Sequence, residues 1–359
     1  MNDGLDELWR GALRSLRSQR PPLAARGARA STFGAALEQA EQLWSASSQV
    51  GPAASPILLF YGLNQAGRAI CAGRFRGASW RPPESHGLSF TVTSPREDRV
   101  LSLTDVEVSP DGRGLVQHVA ASLDSPVLAT SATLAELLAA LDLALFFEDD
   151  DLPGARPLEV YEDGFTQWTP GQPVKKSLLI GPLPEELAER IEHVPAGPRH
   201  MAYTRRLPPS KAEVATWLAP YARLASIGPP DTIGDPEPAD HFLRRGRWAI
   251  RFSWDGTPAE TTQHEWTINQ LDLVHSRGWG DSGGVVYPAI GGNAAPQKQL
   301  ITWWLVLYAL SMLARYQPRE WVAMLNVDRS RLAVPLEQLL SKATSELLEL
   351  VVEALDPPE

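Results

Sequence analysis

The stretch SPILLFYGLNQAGRAICAG, Ser55 to Gly73, has apolar side chains at the three- and four-residue spacing of an α-helix. Ser55 can cap this helix, and Pro56 suits its first turn. One helical face carries Ile57, Phe60, Tyr61, Asn64, Arg68 and Cys71. Asn64 and Arg68 therefore interrupt an otherwise apolar stripe, and this is the first indication of a polar site.

A second apolar helix is predicted from Gln297 to Tyr316. Its uncharged run, LITWWLVLYALSMLA, is shorter than the roughly 20 residues that a bilayer span needs, so it predicts a buried helix and no membrane contact. Its stripe consists of Trp304, Tyr308, Ser311 and Arg315. If the two helices pack together, Asn64, Arg68 and Arg315 share one neighbourhood.

Between these helices the periodicity changes at Gly87, where apolar and polar residues begin to alternate and turn residues become frequent. This pattern predicts strands in HGLSFTVTS, residues 86–94, and throughout RVLSLTDVEVSPDGRGLVQHVAASL, residues 99–123. A helix is predicted from Thr133 to Phe147, and after Pro296 the pattern is helical almost to the end of the chain.

The layout of these elements predicts an α+β fold. We expect the N- and C-terminal helices, residues 1–85 and 295–359, to form one helical bundle. Residues 86–294 are expected to form a mixed, mainly β insertion.

Composition and charge narrow the functional classes. The chain has 359 residues and a formal net charge of −10, which argues against bulk electrostatic attraction to nucleic acid. The single cysteine, Cys71, excludes an internal disulfide and a cysteine-based zinc site, and no pattern indicates a metal or a cofactor. The cysteine usage and the lack of a signal-peptide pattern predict a cytoplasmic location.

The stretch GWGDSGGVVYPAI, residues 278–290, contains the Gly-Asp-Ser-Gly-Gly sequence that surrounds the nucleophile of trypsin-like serine proteases. A serine hydrolase also needs a histidine, an acid and oxyanion donors. No histidine here has the Ala-Ala-His-Cys context of those proteases, and His118 is the nearest imitation. We therefore predict a glycine-rich turn around Ser282 and no protease activity.

Two motifs carry a family resemblance. The early motif consists of Tyr61, Asn64, Arg68 and Ala69, followed by His86, Gly87 and Leu88. The late motif consists of Leu310, Ser311, Arg315, Tyr316, Pro318 and Trp321. In these spacings the chain resembles the YaaC-like protein family of bacteria, which implies a bacterial cytoplasmic protein but no particular reaction. The early helix is also similar, more weakly, to the tyrosine-rich helix of HEPN domains, helical bundles found in many bacterial toxins and antiviral ribonucleases.

The catalytic candidates follow from the histidines. His86 is the best placed general acid or base, and Arg68 is its candidate partner. HEPN ribonucleases carry an arginine and a histidine that line a cleft at a dimer interface. The alternative pair, Arg113 and His118, has the spacing of that motif, but it is predicted at a turn between strands rather than inside a helix.

The binding candidates are Asn64, Arg68, Arg315 and Tyr316. Arginines buried away from water need carboxylates, carbonyls or a bound anion as partners. One hypothesis is a structural network in which each arginine caps a helix end or pairs with an acid such as Glu320. The other is a phosphate or RNA site.

Two functional hypotheses result. The first is a non-catalytic binding or interaction component of a bacterial defence or stress system, with a protein partner or a second copy of the chain, and with RNA or another nucleic acid as an alternative ligand. The second is a metal-independent HEPN-like endoribonuclease that uses Arg68 with His86, or the pair Arg113 and His118.

Overall fold

The structure is a computed structural model that describes residues 3–93, 99–141, 146–147, 149–162, 174–195, 202–238, 248–257 and 283–355. These residues form α-helices and antiparallel sheets, so the predicted α+β class is confirmed at that level. The chain divides into two compact units. The first comprises Met1–Ala155 and Ile290–Glu359, and the second comprises Arg156–Ala289.

The helices are α1 (Asp3–Ser18), α2 (Gly27–Ser47), α3 (Ser55–Arg74), α4 (Leu115–Ser122), α5 (Leu134–Ala139), α6 (Glu185–Ala188), α7 (Lys211–Leu218), α8 (Ala222–Ser226), α9 (Gln299–Tyr316), α10 (Pro318–Met324) and α11 (Ala333–Leu355). The strands are β1 (Leu88–Val92), β2 (Val106–Pro110), β3 (Ala132–Thr133), β4 (Leu158–Glu162), β5 (Val174–Gly181), β6 (Ile191–Val194), β7 (Tyr203–Arg206), β8 (Thr232–Ile233), β9 (Glu237–Pro238), β10 (Trp248–Thr257) and β11 (Gly283–Val286).

Helix α3 is the centre of the first unit, because α2, α4, α9 and α11 all pack against it. Two glycines permit this close packing. A Cβ atom on Gly62 would lie 2.4 Å from Nε1 of Trp44, and one on Gly67 would lie 2.4 Å from the Trp304 ring. The aromatic rings of α2 and α9 therefore lie directly on the backbone of α3, at the density typical of protein cores.

A small antiparallel sheet with the strand order β1-β2-β3 completes the first unit. Strand β1 pairs with β2 from Leu88 opposite Pro110 to Val92 opposite Val106. The buried face of β2 contributes Val106 and Val108 to the same apolar core as α3 and α9. The sheet therefore extends the helical core and does not enclose a core of its own.

The boundary of the insertion differs from the expected one. The sequence pattern predicts an insertion that begins at residue 86, whereas the structure groups residues 86–155 with the terminal helices. The reason is packing. Helix α4 lies against α3 and helix α5 lies against α9, and their apolar residues join the shared core.

Two local predictions are wrong. Residues 115–122, predicted as a strand, form helix α4, whose first turn is capped by a bond from the Gly114 amide to Oε1 of Gln117 at 2.8 Å. Helix α5 begins at a capping box between Thr133 and Glu136 and ends at Ala139, whereas the predicted helix runs from Thr133 to Phe147. Residues 142–145 of the predicted span lie outside the described residues. Tertiary packing of Leu115, Val116 and Val119 outweighs the β-propensity of α4.

The second unit contains an antiparallel sheet with the strand order β11-β4-β5-β10-β8, with β9 paired to β10, and a separate ribbon of β6 and β7. Ser177 of β5 and Ser253 of β10 lie opposite each other, and their hydroxyls are hydrogen bonded at 2.9 Å. Within the described ranges, no helix is long and apolar enough to cross a bilayer.

Candidate functional site

Helices α3 and α9 pack together and run antiparallel. Near the start of α3, the ring of Phe60 meets Tyr308 edge to face, with 5.6 Å between the ring centroids. Further along α3, the ring of Trp304 packs against Gly67. Trp304 precedes Tyr308 in the sequence. The C-terminal end of α9, with Arg315 and Tyr316, therefore lies toward the N-terminal half of α3.

Asn64 lies between these two contact points on α3. Its side chain is buried, with 5% of its surface exposed, and its Oδ1 atom has no hydrogen-bond partner among the described residues. The indole Nε1 of Trp304 and the hydroxyl of Ser311 on α9 are also buried and unpaired within the described residues. Unpaired buried polar atoms are energetically unfavourable, so this interface has unused hydrogen-bonding capacity.

The loop that carries His86 is held against the turn that precedes α4. The amide of Leu115 donates to the Ser85 carbonyl at 2.9 Å, and the Ser85 hydroxyl donates to the Arg113 carbonyl at 3.0 Å. Gly87 has a φ of 78°, a left-handed conformation that favours glycine. The fixed loop determines where the His86 ring lies.

We call the contact between the His86 loop and the start of α4 the clamp. Its two glycines, Gly87 and Gly114, have no room for a side chain. A Cβ atom on Gly87 would lie 1.9 Å from Oε1 of Gln117, and one on Gly114 would lie 2.2 Å from the Gly87 nitrogen. The His-Gly-Leu motif is therefore explained by packing of the loop against the start of α4. Leu88, the third residue of the motif, is buried at the start of β1.

The His86 ring packs on two aromatic rings. Its centroid lies 5.3 Å from that of Phe60 and 6.0 Å from that of Tyr308. Partial burial, the charge of Arg315 and the charge of Arg68 all lower the pKa of His86 below its ordinary value of 6.5. The imidazole is therefore neutral at pH 7, and its environment contains two nearby cations.

Arg315 is held by aromatic side chains. Its Nη2 atom donates to the phenol oxygen of Tyr316 at 2.8 Å, and its guanidinium lies 5.7 Å from the Tyr61 ring centroid and 4.8 Å from that of Tyr316. Within the described residues it pairs with no carboxylate, so the hypothesis of a partner at Glu320 has no support. Cation–π contacts orient the guanidinium but do not neutralise its charge.

Arg68 is partly exposed and makes no hydrogen bond or ion pair with any residue that the structure describes. Its charge acts on His86 and also on Cys71, whose pKa burial raises to about 12. The helix-capping role belongs to other arginines. Arg29 donates to the Phe75 carbonyl beyond the end of α3 at 2.9 Å, and Arg74 donates to the Ala354 carbonyl at 3.0 Å.

We call these residues the arginine–histidine cluster, and it consists of Tyr61, Arg68, His86, Tyr308, Arg315 and Tyr316. Four of the six were candidates from the sequence. Tyr61 and Tyr308 were not named as site residues, although Tyr61 precedes Arg68 by seven residues on one helical face and Tyr308 precedes Arg315 in the same way. That spacing is the signal that could have identified them.

The phenol of Tyr308 already has a hydrogen-bond partner. Its phenol donates to the Leu88 carbonyl at 2.9 Å, and burial followed by the nearby charge of Asp111 raises its pKa. A phenol that is bonded to a carbonyl and has a raised pKa is a poor proton donor at neutral pH. Tyr308 therefore positions β1 against α9, and the charged or titratable groups of the cluster with no described carboxylate partner are Arg68, Arg315 and His86.

The alternative pair, Arg113 and His118, is placed differently. Arg113 is exposed in the turn before α4, and His118 lies within α4, where its ring stacks on Phe75 with 5.3 Å between centroids. The expected setting of this pair between two strands is therefore wrong. Within the described residues, no hydrogen bond joins the two side chains.

The Gly-Asp-Ser-Gly-Gly stretch falls mostly outside the described residues, and Ser282 is one of those not described. Its last two glycines, Gly283 and Gly284, begin strand β11 and pair with Tyr161 and Val160 of β4.

One comparison with known proteins finds a family whose model matches most of the chain. The model of a family described as YaaC-like Protein matches residues 13–148 and 218–355, two segments that contain every residue of the arginine–histidine cluster. No curated protein and no solved structure matches the chain.

Proposed function

The chain belongs to the YaaC-like protein family. Because its early motif and its late motif meet in one cluster, we propose that it is a binding protein for a phosphate-bearing ligand. The observation that carries this proposal is the pair of arginines, Arg68 and Arg315, beside a neutral His86. Neither guanidinium pairs with a carboxylate in the described part of the chain. An anion is the partner that such an arrangement lacks.

The competing hypothesis for these arginines is a structural network. A network needs internal partners, and Arg68 has no hydrogen bond or ion pair in the described residues. Arg315 has one, to a tyrosine that is itself exposed. The charges of both arginines lower the pKa of His86, and a histidine in cationic surroundings is a typical feature of a site arranged to bind an anion.

The proposed role of the protein in the cell follows from the family resemblance and from the packing of the helices. A single helical bundle of N- and C-terminal helices is supported by the packing of α2, α9 and α11 on α3. A HEPN-like origin for this bundle, a role in bacterial defence or stress response, and a protein partner or second copy all remain predictions from the resemblance. The contacts of the arginine–histidine cluster support a ligand, and they do not identify a cellular role.

Thermal unfolding tests the binding proposal. We expect inorganic phosphate, or a short RNA, to raise the melting temperature of the wild-type protein. Arg68→Ala and Arg315→Ala should each melt close to the wild-type temperature without ligand, because neither substitution removes an ion pair with a described carboxylate, and should lose the ligand-induced shift. The matched control is Arg329→Ala, which removes an exposed arginine outside the cluster and should keep the shift.

A large loss of stability in both cluster variants, of roughly 3–5 kcal/mol, would instead indicate a buried structural pair. In that case the ligand proposal is rejected, because a scaffold would explain both arginines.

The second candidate function is a metal-independent endoribonuclease, and it is favoured by one observation. A half-buried histidine that is neutral at pH 7 can accept a proton from a ribose hydroxyl, and Arg68 and Arg315 could stabilise the developing charge. RNA cleavage in the presence of EDTA that His86→Gln abolishes would support this candidate. Intact RNA under the same conditions supports the binding function alone.

A further inference from the structure

The ring of Trp80, in the segment that follows α3, has two guanidinium groups over it. The Cζ atoms of Arg29 and Arg81 each lie 5.2 Å from the centroid of this ring. Because both contacts are to one ring, the two positive charges are neighbours. Trp80 is half-buried and packs against the apolar core of the first unit, so the ring has a fixed position and part of its surface remains accessible.

Arg29, near the start of α2, also fixes the backbone that follows α3. Its Nη1 atom donates to the carbonyl oxygen of Phe75 at 2.9 Å, and its Nη2 atom donates to that of Gly77 at 3.3 Å. Arg76 lies between these two residues in the sequence, so its backbone is held beside the Arg29 guanidinium. We call the residues gathered here the tryptophan–arginine patch, and it consists of Arg29, Arg76, Trp80 and Arg81.

The arginines of this patch have no partner for their charge. None of the three pairs with a carboxylate within the ranges that the structure describes. Arg29 has a structural role, because it bonds the carbonyls beyond the end of α3. Arg76 and Arg81 are exposed, and no hydrogen bond or ion pair among the described residues involves either side chain. Their charges are therefore available to a ligand.

A fixed ring beside unpaired arginines is the combination with which proteins hold unpaired nucleotides. Bases stack on aromatic and guanidinium planes, while arginines contact the phosphates. We propose that the tryptophan–arginine patch binds single-stranded nucleic acid, with a base against Trp80 and Arg81 and with the neighbouring phosphates on Arg76 and Arg81. This inference goes beyond the proposed function, because the patch shares no residue with the arginine–histidine cluster.

The net charge of −10 does not oppose binding at this surface. At physiological ionic strength, exposed charges are screened beyond about 8 Å, so a strand in contact with the patch responds mainly to the charges beside it. An acidic peptide would meet the same arginines, but its carboxylates make no use of the Trp80 ring. A duplex keeps its bases stacked inside, where the ring does not reach them. The ring therefore favours a single strand over both.

The first experiment measures the affinity of short labelled probes by fluorescence anisotropy. The probes are a single-stranded RNA, a DNA strand of the same sequence, the matching DNA duplex and a polyglutamate of equal charge. We expect the single strands to bind at least about tenfold more tightly than the duplex and the polyglutamate, a ratio that corresponds to about 1.4 kcal/mol. Comparison of the RNA and DNA strands identifies which of the two is the ligand. Polyglutamate that binds as tightly as the strands would overturn the proposal in favour of an acidic peptide.

The second experiment tests the phosphate contacts. Arg76→Ala and Arg81→Ala should each weaken binding by about threefold to tenfold, and each should reduce the slope of log affinity against log salt by about 0.7, the value for one phosphate contact on a single strand. Both side chains are exposed, so both variants should fold. The matched control is Arg329→Ala, which removes an exposed arginine outside the patch and should keep affinity and slope. A slope that neither patch variant changes would contradict the assignment.

The third experiment tests the stacking contact. A strand without bases keeps its phosphates, and we expect the wild-type protein to bind it about tenfold more weakly than the intact strand. Trp80→Leu should remove this difference, and a thermal melt checks that the variant folds. Arg81→Lys makes the same comparison without altering the core, because it keeps the charge and loses the planar group. Equal affinity of the wild type for the two strands would overturn the stacking part of the proposal.

The variants also separate this inference from the proposed function. Inorganic phosphate has no base, so its effect on the melting temperature reports on the arginine–histidine cluster. Arg315→Ala should lose that effect and keep the affinity for single strands, whereas Arg81→Ala should do the reverse. Strand binding that Arg315→Ala abolishes and that Arg76→Ala and Arg81→Ala leave intact would overturn this inference and support the proposed function. Failure of every strand to bind, with the phosphate effect present, would overturn this inference alone.

Discussion

The phenol of Tyr308 donates a hydrogen bond of 2.9 Å to the carbonyl oxygen of Leu88, and both residues are buried. The two residues are 220 positions apart in the sequence. This bond joins the late helix to the first strand beyond the early helix, immediately next to His86. It explains why the two sequence motifs of the family meet at one place in the fold.

Tyr308→Phe tests how much this bond contributes. The substitution removes one buried hydrogen bond and leaves the Leu88 carbonyl without that donor, so we expect a loss of about 1–2 kcal/mol in the free energy of unfolding. Denaturant unfolding measures it. Tyr316→Phe is the control, because Tyr316 is exposed, and it should change stability by less than about 0.5 kcal/mol. Equal effects of the two variants would contradict the assignment.

Gly114→Ala tests the clamp that holds the His86 loop. The added methyl group would lie 2.2 Å from the backbone nitrogen of Gly87, so the loop must move, and we expect a loss of about 1–3 kcal/mol. Gly11→Ala is the matched control, since Gly11 lies within α1 and a Cβ atom there meets nothing within 4 Å. That variant should gain about 0.5–1 kcal/mol from helix propensity. A stable Gly114→Ala protein would show that the loop is not clamped.

The Gly67 and Trp304 pair tests the crossing of α3 and α9. Gly67→Ala should destabilise the protein by about 1–3 kcal/mol, because the methyl group meets the Trp304 ring at 2.4 Å. In a Trp304→Leu background the same change should cost less, with a coupling energy of about 1 kcal/mol. Gly34→Ala, where the nearest atom is 3.6 Å away, is the control and should show no penalty. Strict additivity of the Gly67 and Trp304 changes would argue against the contact.

The titration of His86 tests the electrostatics of the cluster. Its folded pKa lies below 6.5, so between these two values the unfolded chain binds a proton that the native protein does not. Stability linked to His86 is therefore present above pH 6.5 and is lost as the pH falls through the folded pKa. We expect NMR titration to show a higher His86 pKa in Arg315→Ala and Arg68→Ala than in the wild type.

Bound phosphate should raise the pKa of His86, whereas the two arginines lower it. A dianion beside His86 favours the protonated imidazole, so saturating phosphate should raise the His86 pKa. Arg329→Ala should leave the free and the phosphate-bound titrations unchanged. A His86 pKa that phosphate does not move would place the bound anion away from this histidine.

Helices α3, α9 and α11 could be predicted from the sequence, and so could the positions where polar residues interrupt α3 and α9. The reason is that helical periodicity is a local property, and Asn64, Arg68 and Arg315 stand out against long apolar stripes. The sequence also predicted that α3 and α9 meet, since neither helix can bury its apolar face alone.

The surroundings of those residues could not be predicted, because they come from distant parts of the chain. Segment 115–122 is a helix because its apolar residues pack on α3, and the periodicity of eight residues is too short to show this. The position of His86 over Phe60 and Tyr308, the lack of a carboxylate near Arg68 in the described residues, and the membership of residues 86–155 in the first unit all depend on contacts between distant segments. Such contacts depend on chain topology, and a single sequence does not specify the topology by local pattern alone.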